Sequence, residues 1–152
     1  MPTTAPSTVP AFLDALKTAL DARAGLDGVE VATAPQGSGT RNESIQVHDV
    51  TQGEEWALLG ARTADETYAV ALTVWVVKPG AGEALAKTAR DRAYTLMAEV
   101  AAALRENPHM GGDSIKVAAM SSADLDQGVN PNGRWAQLTF EVQVEARLSY
   151  VA

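Results

Sequence analysis

The residues able to do chemistry in this chain are few and scattered. Its two histidines, His48 and His109, fall in an alternating apolar and polar segment and just after Pro108. Neither has the spacing of a metal-ligand pair, so both read as structural or surface residues. Cysteine is absent, which excludes a disulfide framework, a thiolate zinc site and a cysteine nucleophile together. Nothing resembles a nucleophile elbow. The segment from Asp124 to Asn130 sets oxygen-bearing side chains on alternate residues, as calcium loops do. However, Val129 stands where glycine is needed and Trp135 where a bidentate glutamate is needed, so a hydrated loop is expected. Gly37-Ser38-Gly39-Thr40 lacks the ending of a phosphate-binding loop and reads as a flexible connection. The neighbouring carboxylates Glu54-Glu55 and Asp65-Glu66 read as exposed, solvated pairs rather than an acid/base couple. Trp56, Trp75 and Trp135 are not joined by a basic aromatic array, so core or subunit-interface packing is expected of them. The sequence therefore predicts no catalytic residue, no metal, no cofactor and no enzymatic activity.

Composition narrows the classes further. At 152 residues with 46% hydrophobic content, a single domain spanning 1–152 can close one core without staples. The net charge of −7, with twelve basic residues scattered from Lys17 to Arg147, argues against sequence-specific binding of nucleic acid by phosphate neutralisation. An acidic surface near a passing strand would instead keep it from sticking. No apolar run reaches membrane-spanning length, since Lys78 closes the most hydrophobic one, and the opening residues 1–8 read as a short mobile arm rather than a secretory signal. The sequence predicts a soluble protein.

The elements that must position these residues follow from periodicity. Phe12, Leu13, Leu16, Ala19 and Leu20 fall on one face of a helix from about Val9 to Ala24, with Pro10 in its first turn and Gly25 placed to end it with positive φ. A short strand follows at 29–33, then a flexible connection at 35–40. Two strands are expected at 44–50 and 56–60 around a turn at Thr51-Gln52-Gly53. The run from Tyr68 to Val77 has apolar residues on both faces and reads as a central, doubly covered strand stopped at Lys78-Pro79-Gly80. Leu85, Ala89, Ala93, Leu96, Met97, Val100 and Leu104 trace the stripe of a long helix from Glu83 to Glu106, ended by Asn107-Pro108. A short strand at 115–120 and a loop from Ser121 to Arg134 complete the approach to the last element.

That last element carries the strongest alternation in the chain. From Trp135 to Tyr150, Ala136, Leu138, Phe140, Val142, Val144, Ala146, Leu148 and Tyr150 form an apolar face. Gln137, Thr139, Glu141, Gln143, Glu145 and Arg147 form a polar one. At about 3.3 Å per residue it spans roughly 50 Å, against a radius of gyration near 15 Å for a compact domain of this length. A strand that overshoots its domain bends or pairs with a neighbouring chain, so Trp135, Gln137, Thr139, Glu141, Gln143, Glu145 and Arg147 are the candidate subunit-interface or lumen face. The fold class expected is α+β, a mostly antiparallel sheet of about four to six strands packed against two main helices.

The sequence of elements resembles the tail terminator (tail completion) proteins of long-tailed bacteriophages, particularly those infecting actinobacteria. The resemblance is carried by the opening amphipathic helix, the segment Glu55-Trp56-Ala57-Leu58-Leu59-Gly60 and the strand from Thr67 to Val76. It continues through the long Ala-rich helix with its Asn107-Pro108 end and the strand from Ala136 to Ala146. The resemblance implies a virion protein of the tail or neck, assembled in the host cytoplasm as a hexameric ring. Such a ring sits on the last ring of the tail tube protein, stops tube growth and meets the head-tail connector or head-closure protein, while DNA transits its lumen without sequence-specific contacts. No catalytic or cofactor residues come with it, and no membrane. Two other readings compete: another neck or head-closure ring protein, and a small-ligand module whose pocket Trp75 or Tyr94 would line.

Overall fold

The computed structural model describes residues 7–34, 41–58 and 63–149. Helix α1 (Val9–Asp21) is followed by a short 3-10 turn (Ala24–Leu26), strand β1 (Glu30–Ala32), and the long strands β2 (Glu43–Leu58) and β3 (Thr63–Lys78). Helix α2 (Glu83–Glu106) and strands β4 (Ile115–Asn130) and β5 (Gly133–Ser149) complete the chain. The strands form one sheet in the order β1-β2-β3-β5-β4. β1 runs parallel to β2, and every other pairing is antiparallel. The α+β class expected from periodicity is the one observed.

Both helices lie on one side of this sheet. The stripe of α2, Ala89, Ala93, Leu96, Val100 and Leu104, is buried on Val70, Leu72, Val74 and Val76 of β3 and on the even-numbered residues of β5 from Ala136 to Leu148. Helix α1 buries Phe12, Leu16 and Leu20, and the Phe12 ring meets the Tyr68 ring edge to face at 5.9 Å. Burying a side chain of this size stabilises by about 1.5–3 kcal/mol, so this one face accounts for most of the stabilising area. Polar contacts of three cations also fasten the helices. Arg23 donates to Glu99 (2.6 Å) and Glu106 (2.8 Å), Arg92 pairs with Glu43 at the start of β2, and Lys17 donates to the carbonyl of Val31 in β1 (3.1 Å).

Several expectations are corrected. The helix expected to Ala24 ends at Asp21, and Gly25 lies in the 3-10 turn while Gly28 takes the positive φ, 78°. The turn expected at Thr51-Gln52-Gly53 does not exist. β2 runs through it as one strand because β3 begins at Thr63 and supplies a ladder partner for each of those residues, Gly53 opposite Thr67 among them. A bulge between Val47 and Val50 shifts the register instead. The loop expected from Ser121 to Arg134 is the second half of β4, closed by the two-residue turn Pro131-Asn132 between the paired residues Asn130 and Gly133. Strand β3 is central, but helices cover only one of its faces. The expected connection at 35–40 and Tyr150 lie outside the described residues.

The length of β5 is matched inside the same chain. β5 pairs along its whole length with β3, from Thr63↔Ser149 to Lys78↔Arg134, and from Ala146 to Gly133 with β4. Its neighbours are as long as it is, so its length alone no longer calls for a second chain.

Candidate functional site

The face of the sheet turned away from the helices is the surface left to consider, and strand alternation decides what it displays. β5 contributes Trp135, Gln137, Thr139, Glu141, Gln143, Glu145 and Arg147, all the residues expected to form its polar face. In register beside them stand Asp65, Thr67, Ala69, Ala71, Thr73 and Trp75 of β3, and Ala119, Asp124, Asp126 and Gly128 of β4. β2 adds Ser44, Gln46, Thr51, Gly53 and Glu55. Of the β5 set, Thr139, Gln143, Glu145 and Arg147 are exposed, and Trp135, Gln137 and Glu141 are half-buried.

One end of this face is aromatic. Trp75 and Trp135 stack with ring centroids 5.1 Å apart and planes 22° from parallel. Gly128, opposite Trp135 in the ladder, gives the indole room: a Cβ there would fall 2.5 Å from the ring. Ser44, opposite Trp75, is fully buried. The middle is lined by small side chains, Ala69, Ala71, Thr73, Ala119 and Thr139.

The remainder is acidic. Among the described residues, Glu55, Asp65, Asp124, Asp126, Glu141 and Glu145 share the face with two cations, Arg147 and Lys116, and both cations are engaged by the same carboxylate. Arg147 grips Asp65 with two donors (2.9 and 3.2 Å), and Lys116 reaches it at 3.5 Å. The Arg147 hydrogen bonds, then its charge and that of Lys116, hold the Asp65 carboxyl below its ordinary range, and Asp65 raises Arg147 in return. Asp65 is thus bound across three strands rather than simply solvated.

Its neighbour Glu66 departs further from expectation, since it is fully buried. Its Oε1 accepts from the backbone N–H of Thr8 (2.9 Å) and from the Thr8 hydroxyl (2.7 Å). Because that hydroxyl has one proton and gives it to Glu66, the Tyr68 hydroxyl must donate to Thr8 Oγ1 (3.0 Å). Glu66 therefore occupies the amino end of α1, where helix backbone groups favour an anion, while its Oε2 has no hydrogen-bond partner. Burial pushes the Tyr68 hydroxyl up to about 12; the bond to Thr8 opposes this and the charge of Glu66 adds to it. Thr8, expected in the mobile arm, is fixed by this cluster. A signal was present in the sequence: Ala64, Glu66, Tyr68 and Val70 share the core parity of β3.

Among the described residues no arrangement with catalytic geometry emerges. His48 is exposed on β2 beside the bulge, and His109 Nδ1 lies 2.6 Å from the carbonyl of Ile115, closing the turn before β4. Among the described residues no group of His, Asp and Glu could hold a metal ion, and the supposed calcium-like loop is extended strand. Trp75 and Tyr94 do not frame one pocket, because Tyr94 points outward from α2 and Trp75 lies on the opposite face of the sheet. The grooves beside α1 are open clefts lined largely by Ala15, Ala19, Ala22 and Ala103. Of Trp56 only the strand position is described.

The sequence matches no family model and no curated protein. A solved structure shares the fold. It is titled "Virion of native gene transfer agent (GTA) particle", and one of its chains aligns with a TM-score of 0.59 at 16% identity, over 92% of this chain and 98% of that one. At that identity the likeness is one of fold, and it takes in the two helices and the sheet together.

Proposed function

We propose that this chain is a structural protein of a virion and, within the virion, a tail terminator. Copies of it form a hexameric ring on the end of the tail tube, stop tube growth and present a surface to the head-side connector, with DNA passing through the lumen. The observation that carries the reading is the coextensive fold shared with a virion chain, 92% of one against 98% of the other. The resemblance to tail terminators seen in the sequence supplies the finer role.

The open face fits that role chemically. The Ala and Thr row of β3, set among the carboxylates of β4, β5 and Glu55, offers phosphates no place to settle, since like charge lowers the residence of a passing strand. The other face carries α2, whose Lys87, Arg90, Asp91, Tyr94 and Thr95 are solvent-facing and available to neighbours in an assembly.

Electron microscopy of the purified chain mixed with tail tubes tests the reading. Rings seated on one tube end, and shorter tubes when the chain is added during polymerisation, are expected. Rings that bind only portal-proximal connectors would transfer the chain to head closure. A chain that remains monomeric and never caps a tube would remove the ring role altogether.

A further inference from the structure

Both outer edges of the sheet carry long stretches of backbone that no strand of this chain pairs among the described residues. On one side β1 covers only Ser44–Gln46 of β2, leaving the edge from Val47 to Gly53. On the other side the whole outer edge of β4 is open. Unpaired edges of this length template pairing with another chain unless they are blocked, usually by charge or proline. The run from Val117 to Ala123 contains neither.

We propose that copies of this chain join head to tail by pairing the outer edge of β4 in one copy, Ile115–Ala123, with the outer edge of β2 in the next, Val47–Gly53. This rests on the ring reading above and names the surface that would build the ring. Strand direction supports it first. β2 and β5 run one way and β3 and β4 the other, so a second copy displaced sideways in the sheet meets β4 with β2 antiparallel, the more stable ladder.

Level supports it next. Reading across the sheet, Val47 stands opposite Leu72, Leu72 opposite Phe140 and Phe140 opposite Ala123. Glu54 stands in the same way level with Glu66, Ala146 and Ile115. The open half of β2 and the first half of β4 therefore lie at the same height on opposite edges. Charge supports it last. The β2 stretch carries Asp49, with Glu55 beyond its end, whereas the β4 stretch has no carboxylate and carries Lys116. Asp124 and Asp126 lie level with Gln46 and Ser44, where β1 already occupies the edge. Pairing β2 with β2 would set these acids against one another. Pairing β4 with β4 would close a two-fold dimer and leave the β2 edges unused.

The absence of native cysteine makes the test direct. Thr51 and Ala119 share one level and one face, through Ala69 and Gln143. In the full chain, the double variant Thr51→Cys/Ala119→Cys should give, on mild oxidation, a reducible ladder of covalent dimers, trimers and higher species, as Cα atoms about 5.5 Å apart permit. Moving the first cysteine to Gly53 or Glu55 samples a stagger of two or four residues. Native mass spectrometry of the unoxidised protein runs alongside. Closed oligomers with no ladder from any double variant would overturn the edge pairing and leave the ring reading standing. Ala119→Cys alone cross-linking as fully as the double variant would overturn it in favour of β4 with β4. A chain monomeric at every concentration, with and without tail tubes, would remove both.

Discussion

Glu66 and Tyr68 place ionisable groups where β3 meets the amino end of α1, and their burial makes stability depend on them. The Tyr68 hydroxyl is raised from 10.0 to about 12. Its contribution is fully present below pH 10 and is lost as pH climbs towards 12, because in that window the unfolded chain has released the proton and the folded chain has not. The difference corresponds to at most about 3 kcal/mol. Tyr68→Phe should therefore lose less stability than the parent between pH 8 and pH 11, measured by urea unfolding at both. At pH 8 it should already be weaker by about 0.5–1.5 kcal/mol for the missing bond to Thr8. Glu66→Ala strands the Thr8 N–H and hydroxyl and should cost about 1–3 kcal/mol, with faster amide exchange in the first turn of α1. Glu66→Gln keeps an acceptor in place and should cost less. Equal losses for the two variants would show that the Thr8 contacts contribute nothing. These residues were legible only by parity. Glu66 falls in step with the core face of β3, but a carboxylate beside another carboxylate reads as solvated surface, and the partner that makes burial tolerable lies 58 residues away in sequence.

Among the elements, those with an uninterrupted period were readable and those whose period is broken were not. Helix α2 has the limits its stripe predicts, Glu83–Glu106, and the alternating face of β5 is buried residue by residue from Ala136 to Leu148. β2 and β4 each contain two register shifts, at Val47/Val50 and Trp56/Leu58 in the first and at Ile115/Val117 and Met120/Ala123 in the second. A shift moves apolar residues from one parity to the other, so the alternation seems to stop where the strand continues. Local composition misled in the same places: Thr51-Gln52-Gly53 and the Asp, Asn and Gly of β4 favour turns, and only ladder partners distant in sequence overrule them. Gly133, by contrast, does serve a turn. It closes the β4–β5 hairpin at φ 132°, and a Cβ there would sit 2.0 Å from the carbonyl oxygen of Lys78. Gly133→Ala should accordingly destabilise by roughly 1–3 kcal/mol, the scale of a strained backbone position. Thermal unfolding measures this, and an unchanged midpoint would mean that the hairpin relaxes freely away from the β3–α2 connection.

For the whole molecule, burial and charge divide the sheet into two faces with different work. One face is filled by α1 and α2 and holds the fold together. The other is acidic, its β3 row holds only Thr and Ala between Trp75 and Asp65, and it contributes little to the core. Evolution of a stable monomer alone gives no reason to concentrate Asp124, Asp126, Glu141 and Glu145 there, since like charges on neighbouring strands oppose folding slightly. A channel through which DNA slides does give one, because the field that repels phosphates also prevents trapping. Replacing those four carboxylates with Asn and Gln should leave the fold within about 0.5 kcal/mol per site and leave ring formation intact. Replacing them with Lys would create phosphate contacts whose strength falls steeply with salt. Particles assembled with the Lys set should then deliver DNA more slowly than the parent, with the deficit shrinking as ionic strength rises, while the Asn and Gln set stays close to the parent. DNA release followed by dye fluorescence at two salt concentrations distinguishes the cases. Unaltered release from particles that demonstrably contain the Lys variant would move the open face from the channel wall to a contact between subunits, and leave the acidic surface to be explained by whatever protein it meets there.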